Sequence, residues 1–229
     1  MLEIIIRILK VFADNGLWDV GVELIGSWCF ALYQEHLGVR KYPFRTPDID
    51  FLIPQPFKLK KKIDLVKLLE PLVFKLSIDN DGYVYLWSPE LKIEFLTPER
   101  GRGTAGPKEI KNMGINAIPL RYVDMLFKDP IKLVEQGVAV KIPNPAAFAF
   151  HKLLISGRRK KKDKQDRDIE QALAILDSFP LTESADLYLT FPRPWRKQIL
   201  LVLGSARRSR PLQTEMIREV IDTLQNAEK

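Results

Sequence analysis

The segment TPDIDFLI, Thr46 to Ile53, constrains the fold of this chain most strongly, because two aspartates alternate in it with apolar residues. Successive side chains of a β-strand point to opposite faces, so Asp48 and Asp50 are predicted on one face and the apolar residues on the other. The apolar face predicts packing against a core. Two carboxylates on one face repel each other unless a cation lies between them, so the pattern predicts a magnesium site.

Composition narrows the class of protein and its partners. The chain has 229 residues, of which 46% are hydrophobic, enough for a substantial core. Its net charge of +7 favours anionic partners such as nucleotides, nucleic acid or an acidic protein. A single cysteine, Cys29, excludes a disulfide framework and is expected to be reduced in the cytoplasm. No apolar run has the length of a membrane span, so no membrane partner is expected.

A second candidate feature lies upstream of the aspartates. Val20 to Ile25 predicts a short buried strand, Gly26-Ser27 a tight turn, and Trp28 to Leu37 a helix. A helix start offers free amide hydrogens and the positive end of the helix dipole, which suits a phosphate group. The alternative is that Ser27 only caps the helix and Gly26 only forms the turn.

Downstream, the sequence LKIEFLTP places Glu94 between Ile93 and Phe95 and so predicts a third carboxylate on a strand. Alternatively, Glu94 is an ordinary solvent-facing residue. The surrounding pattern predicts further strands and one helix, with Trp87 in the core. The predicted elements are a helix over Leu2–Asn15, a helix over Leu59–Leu69, and strands over Leu72–Ile78, Tyr83–Trp87, Leu91–Leu96, Ile115–Leu120, Ile131–Val134 and Val138–Ile142, with a turn at Asp79–Gly82 and an irregular glycine-rich segment at Arg100–Pro107.

The pattern changes to helices at Asn144-Pro145, where Asn is a suitable N-cap and Pro a suitable first helical residue. We therefore predict an α+β fold, with a mixed-sheet domain over residues 1–143 and an all-helical domain over residues 144–229. The predicted helices of the second domain are Asn144–Ser156, Lys164–Asp177, Arg193–Leu203 and Pro211–Gln225.

The segment RRKKKDKQDRD, from Arg158 to Asp168, has two interpretations. It is either a solvated, partly self-neutralised surface or a contact for an anionic acceptor such as RNA or protein. Lys152 lies one to two helical turns earlier and is a candidate to reach a triphosphate.

Taken together, LIGSW, TPDIDFLI and IEFL resemble the nucleotidyltransferase superfamily that shares the DNA polymerase beta fold. The second half also resembles small bacterial nucleotidyltransferases related to the AbiEii type, in which a helix lysine precedes a basic and acidic cluster. The resemblance covers the architecture to about Pro143.

The resemblance implies the role of each candidate residue. Asp48 and Asp50 would hold two Mg²⁺ ions and, through them, the nucleoside triphosphate, while Glu94 would serve as the third metal ligand and help to activate the acceptor hydroxyl. Gly26 and Ser27, together with Lys152, would bind the nucleotide. The implied reaction is transfer of a nucleoside monophosphate to an acceptor hydroxyl on a protein, RNA or small molecule, with release of pyrophosphate.

The alternative function is a catalytically inactive module of the same fold, acting as an antitoxin or a regulatory binding protein. Retention of a carboxylate cluster argues against it, because unpaired clustered charges are costly to keep. Nothing in the sequence selects an oligomeric state.

Overall fold

The structure is a computed structural model that describes residues 3–41, 46–78, 82–99 and 106–229. The chain divides into two compact units. The first unit comprises Met1–His36 with Pro43–Pro143, and the second comprises Leu37–Tyr42 with Asn144–Lys229.

The first unit is built on a seven-stranded mixed sheet. Five strands follow the spatial order β1-β2-β5-β4-β3, β7 pairs with the far end of β5, and β6 pairs with β7. The elements of this sheet and its helices are α1 (Glu3–Asp14), β1 (Glu23–Ile25), α2 (Gly26–His36), β2 (Asp48–Leu52), α3 (Leu65–Leu69), β3 (Lys75–Ile78), β4 (Val84–Trp87), β5 (Lys92–Pro98), β6 (Lys108–Ile110) and β7 (Ile115–Leu120).

The two central strands, β2 and β5, run parallel. Ile49 pairs with Ile93 and Phe51 with Phe95, and all four side chains are buried. The Phe51 ring stacks on Phe12 of α1 with 4.0 Å between ring centroids and lies 6.2 Å from the Phe95 ring. Burial of aromatic side chains stabilises a fold by roughly 1.5–3 kcal/mol each, so this cluster fixes which face of the sheet is the inner one.

A separate hairpin completes the first unit. Strands β8 (Ile131–Glu135) and β9 (Val138–Ile142) pair antiparallel, and Gly137 supplies a positive φ of 79° at the turn. Such a φ costs glycine little. β9 packs against α1 and β1.

The second unit is helical. Its first helix begins where the sequence predicts, because the Asn144 side chain accepts a hydrogen bond from the Ala146 amide at 2.9 Å. The helices are α4 (Pro145–Ser156), α5 (Lys162–Leu176), α6 (Leu181–Leu189), α7 (Arg193–Ser209) and α8 (Thr214–Ala227). Among the described residues, none of the helices combines the length and the apolar character that crossing a membrane requires.

The predicted α+β class, a mixed sheet followed by helices, is confirmed. The predicted helix over Leu59–Leu69 is wrong in extent, because helix starts only after Asp64, whose side chain accepts a hydrogen bond from the Lys67 amide. Helix α6 and strand β6 were not predicted. The residues Asp79–Asp81 of the predicted turn, and 100–105 of the glycine-rich segment, lie outside the described residues.

One buried carboxyl group stands out in the first unit. Glu23 of β1 is fully buried, and neither of its side-chain oxygens accepts a hydrogen bond from any residue that the structure describes. Burial raises the pKa of Glu23 to about 8, although the Lys141 ammonium, 4.0 Å away, opposes the shift. At neutral pH this carboxyl group is therefore mostly protonated.

We predict that Glu23 makes stability fall between pH 4.5 and 8. The folded chain holds this proton more tightly than the unfolded chain, so the contribution is full below pH 4.5 and is lost as the pH rises through about 8. Urea unfolding of the wild type should show a loss on the order of 3–5 kcal/mol across this window.

Glu23→Gln should flatten that pH profile, whereas Glu90→Gln, at an exposed position, should leave it unchanged. If the stability of Glu23→Gln fell with pH as steeply as that of the wild type, Glu23 would not be the group whose pKa is raised.

Candidate active site

Four charged side chains share one face of the sheet. Asp48 and Asp50 of β2 pair in register with Lys92 and Glu94 of β5, so the two strands place three carboxylates and one ammonium side by side. All four residues are half-buried, whereas the residues between them are buried on the opposite face. The structure thus places the three predicted carboxylate residues on one face of two paired strands, and it adds a lysine that the sequence analysis did not single out.

Lys92 forms an ion pair with one of these three carboxylates, that of Glu94. Its Nζ lies 2.5 Å from Glu94 Oε1 and 4.2 Å from the centre of the Tyr85 ring. Burial alone would lower the pKa of Lys92, but the hydrogen bond to Glu94 and the negative charges of Glu94 and Asp48 outweigh burial and raise it. Lys92 is therefore a cation at neutral pH.

The predicted Gly-Ser turn lies against Asp50. Helix α2 begins at Gly26, whose φ is +70°, and a Cβ atom at this position would collide with the Asp50 carboxylate. Only glycine allows both the positive φ and this close approach. The first turn of α2, which includes the half-buried Ser27, is therefore held next to Asp50.

The oxygen donors of Asp48 and Asp50 suit a hard divalent cation such as Mg²⁺. Within the described ranges, however, no three His, Cys, Asp or Glu side chains converge closely enough to hold a metal ion as they stand. Asp50 and Glu94 start from paired positions, but Asp50 lies over Gly26 and Glu94 contacts Lys92. The carboxylate oxygens of Asp48 and Asp50 therefore fit a divalent cation, whereas Glu94 forms an ion pair with Lys92.

The same face continues onto β4, where Trp87 pairs with Lys92. Trp87 is 48% exposed, so its prediction as a core residue is wrong. Tyr85 lies two residues before Trp87 on β4, and its hydroxyl accepts a hydrogen bond from the Ser77 hydroxyl of β3 at 3.1 Å. An exposed indole and a phenol ring thus border the charged group.

Lys152, in the second unit, has a partner of its own. It is 5% exposed, and its Nζ donates to Asp168 Oδ1 at 2.7 Å, while Arg159 donates to the other oxygen at 2.6 Å. Burial would raise the pKa of Asp168, but the two cations outweigh it and lower the pKa. This ion pair gives Lys152 a role inside the helical unit, and its predicted contact with a triphosphate stays a prediction.

The basic segment that follows is largely exposed. Arg158 and residues 160–164 lie at the surface at the start of α5, where the helix dipole is positive. Cations at that end of a helix are unfavourable for the helix itself, and Lys162 is partly compensated by an ion pair with Asp166 at 3.2 Å.

A family of proteins described as Nucleotidyltransferase matches residues 3–190 of the chain. The match spans the sheet, the four-residue charged face and helices α4 to α6 of the helical unit. The chain therefore belongs to this nucleotidyltransferase family and is an enzyme of that class.

Two solved structures are similar over nearly the whole chain. An antigenic nucleotidyltransferase-like protein from Paracoccidioides brasiliensis is 15% identical, with 94% of this chain and 92% of that chain covered and a TM-score of 0.51. The antibiotic-resistance factor ANT(2'')-Ia is 14% identical, with 94% and 95% covered and a TM-score of 0.46. The first shows a shared fold. No curated protein matches the chain in sequence.

Lys92 is the residue that sequence reasoning missed. The signal was present, because KIEF repeats the alternation of DIDF and puts Lys92 on the same face as Glu94. What the sequence does not contain is the pairing of β2 with β5, which brings Lys92 next to Asp48.

We predict that Gly26→Ala destabilises the protein more than a glycine-to-alanine change at a residue with a similar positive φ and no atoms close to the added Cβ. Gly16 has nearly the same φ, +66°, but nothing lies within 4 Å of a Cβ atom built there. Both changes incur a backbone cost of about 1 kcal/mol. Gly26→Ala adds a collision with Asp50, so urea unfolding should show a further loss on the order of 1–3 kcal/mol. Equal losses for both variants would contradict this account.

We also predict that Asp168→Asn destabilises the protein by about 3 kcal/mol, because it leaves the buried Lys152 ammonium facing a neutral amide. The matched control is Asp166→Asn on the same helix, whose side chain is 42% exposed and whose ion pairs should contribute at most about 1 kcal/mol. Chemical unfolding at pH 7 measures both. Similar small losses of stability for the two variants would show that the Lys152–Asp168 pair does not stabilise the protein.

Proposed function

We propose that this chain is a metal-dependent nucleotidyltransferase that transfers a nucleoside monophosphate from a nucleoside triphosphate to an acceptor hydroxyl. The observation that carries the proposal is the register of β2 on β5, which sets Asp48 and Asp50 beside Glu94 on one face, next to the start of α2. Family membership supports the reaction class.

Each residue has a distinct task in this proposal. The first-turn amides of α2, with the Ser27 hydroxyl, bind phosphate oxygens, since they lie at the positive end of the helix dipole. Asp48 and Asp50 hold a divalent cation. When bound, Mg²⁺ neutralises triphosphate charge and stabilises the leaving pyrophosphate. Gly26 keeps the phosphate-binding turn and Asp50 in close approach.

The transfer step follows from these positions. The acceptor oxygen forms a bond to the α-phosphorus while the bond from that phosphorus to the pyrophosphate oxygen breaks. Glu94 accepts the hydrogen bond of the acceptor hydroxyl and takes up its proton, which then passes to solvent. Glu94 is a quarter exposed, so this route to water is open.

The proposed acceptor is anionic. The exposed cations at the start of α5 and the net charge of +7 favour RNA or an acidic protein over a cationic small molecule. We also propose that the chain is related to AbiEii-type nucleotidyltransferases. Its proposed location is the cytoplasm. An inactive antitoxin or regulatory module of this fold would show no turnover in the experiment below.

We predict that Asp48→Asn and Asp50→Asn each reduce label transfer from α-labelled nucleoside triphosphates, in a cell extract with Mg²⁺, by at least about 100-fold. The reason is that each amide removes a negative charge that holds the cation. Asp19→Asn is the control, because Asp19 is 75% exposed and pairs with Lys132 of the β8–β9 hairpin. Transfer that survives either site substitution would refute the assignment of the site.

A further inference from the structure

The sheet face that carries the carboxylates continues past Glu94 onto two more strands. Trp87 of β4 pairs with Lys92 of β5 on one side and with Lys75 of β3 on the other, so these side chains form one row across the sheet. The Trp87 side chain is 48% exposed, and Lys75 is exposed as well. An aromatic ring between cations on an open sheet face is typical of surfaces that bind single-stranded nucleic acid.

The other aromatic residue of this face, Tyr85, is covered by its neighbours. Its ring centre lies 4.2 Å from Lys92 Nζ, and its hydroxyl accepts a hydrogen bond from the Ser77 hydroxyl at 3.1 Å. Nearly half of Trp87, by contrast, is open to solvent. The indole is therefore the aromatic surface that a planar group of a ligand can cover.

The order of the strands determines which substrate the indole faces. The start of α2 and the aspartates, which are proposed to bind the triphosphate and its cation, lie beside β1 and on β2. Trp87 lies on the opposite side of β5, beyond Glu94. Because Glu94 is proposed to take the proton of the acceptor hydroxyl, the molecule that bears this hydroxyl extends over β4, away from the triphosphate.

The spacing on this face suits a nucleotide. Trp87 and Glu94 are diagonal neighbours on paired antiparallel strands, which separates two residues by about 7–8 Å and leaves them within reach of one ligand. In a nucleotide, the ribose hydroxyls and the base are attached to the same sugar ring, so a hydroxyl at Glu94 places the base close to the indole. Lys75, one strand further from Glu94, is then placed for a phosphate of the same strand.

We propose that Trp87 stacks on the base of the 3′-terminal nucleotide of a single-stranded RNA acceptor, with a ribose hydroxyl of that nucleotide at Glu94 and a phosphate of the strand at Lys75. The inference rests on the proposed function and narrows its acceptor from RNA or an acidic protein to RNA. Every base has a π-face on which an indole can stack. This surface therefore selects the end of a strand rather than a base sequence.

The test is the affinity for two RNA oligonucleotides of equal length, labelled at the 5′ end and measured by filter binding. One ends in adenosine and the other in an abasic ribose. Trp87→Leu should weaken binding of the first about 5- to 150-fold and leave the second unchanged, because only the first has a terminal base to stack. Trp87→Phe keeps an aromatic ring and should retain most of the affinity. Unchanged binding of the first oligonucleotide by Trp87→Leu, or an equal loss for both, would overturn the inference.

Leu76→Ala is the matched control. Leu76 is 47% exposed on the same hairpin, but it pairs with the buried Leu86 and so lies on the opposite face of the sheet. Its replacement should change neither affinity, and circular dichroism checks that each variant is folded. Lys75→Gln should weaken both oligonucleotides by the same factor, because a phosphate contact does not depend on the base. An unchanged affinity would refute the phosphate contact.

Two further measurements separate the inference from the proposed function. Trp87→Leu should leave the affinity for α-labelled ATP with Mg²⁺ unchanged, since a loss would place the base of the nucleotide donor on the indole and overturn the inference alone. If label transfer depends on Asp48 but the label appears on protein, the inference falls and the proposed function stands. If transfer is indifferent to Asp48→Asn, the proposed function falls, and the acceptor role of Trp87 falls with it.

Discussion

The parallel pairing of β2 with β5 is the constraint on which the rest of the site depends. Because side chains alternate along a strand, a slip of one residue would turn Asp48 and Asp50 into the phenylalanine cluster and expose Phe51. The stack of Phe12 on Phe51 makes that slip costly. Hydrophobic contacts on one face thus fix the chemistry on the other.

Lysine–carboxylate pairs occur in both units, in different surroundings. Lys92 and Glu94 are each about a quarter exposed, so their ion pair can open to a ligand at modest cost. Lys152 and Asp168 are almost fully buried, and separating them would leave a charge without compensation. The same pair of chemical groups is therefore suited to function in the first unit and to stability in the second.

The sequence was sufficient for the features that depend on local periodicity. The alternation in DIDF and KIEF predicts the face of Asp48 and of Glu94, and Asn144 predicts the start of α4. Features that depend on pairing distant segments were out of reach, such as the partnership of Lys152 with Asp168, 16 residues later on another helix. The helix predicted from Leu59 failed because Asp64 caps a later start. Trp87 was misplaced because aromatic character alone does not report exposure.

The exposure of Trp87 has a spectroscopic consequence. Trp18 and Trp28 are 4% and 8% exposed, so their indoles are shielded from water, whereas nearly half of Trp87 is in solvent next to Lys92 on the charged face. An indole in water emits at longer wavelength than a buried one and changes its emission when a molecule covers it. The protein thus carries an intrinsic fluorophore at the border of its proposed active site, and the emission of Trp87 should change when a ligand covers that face.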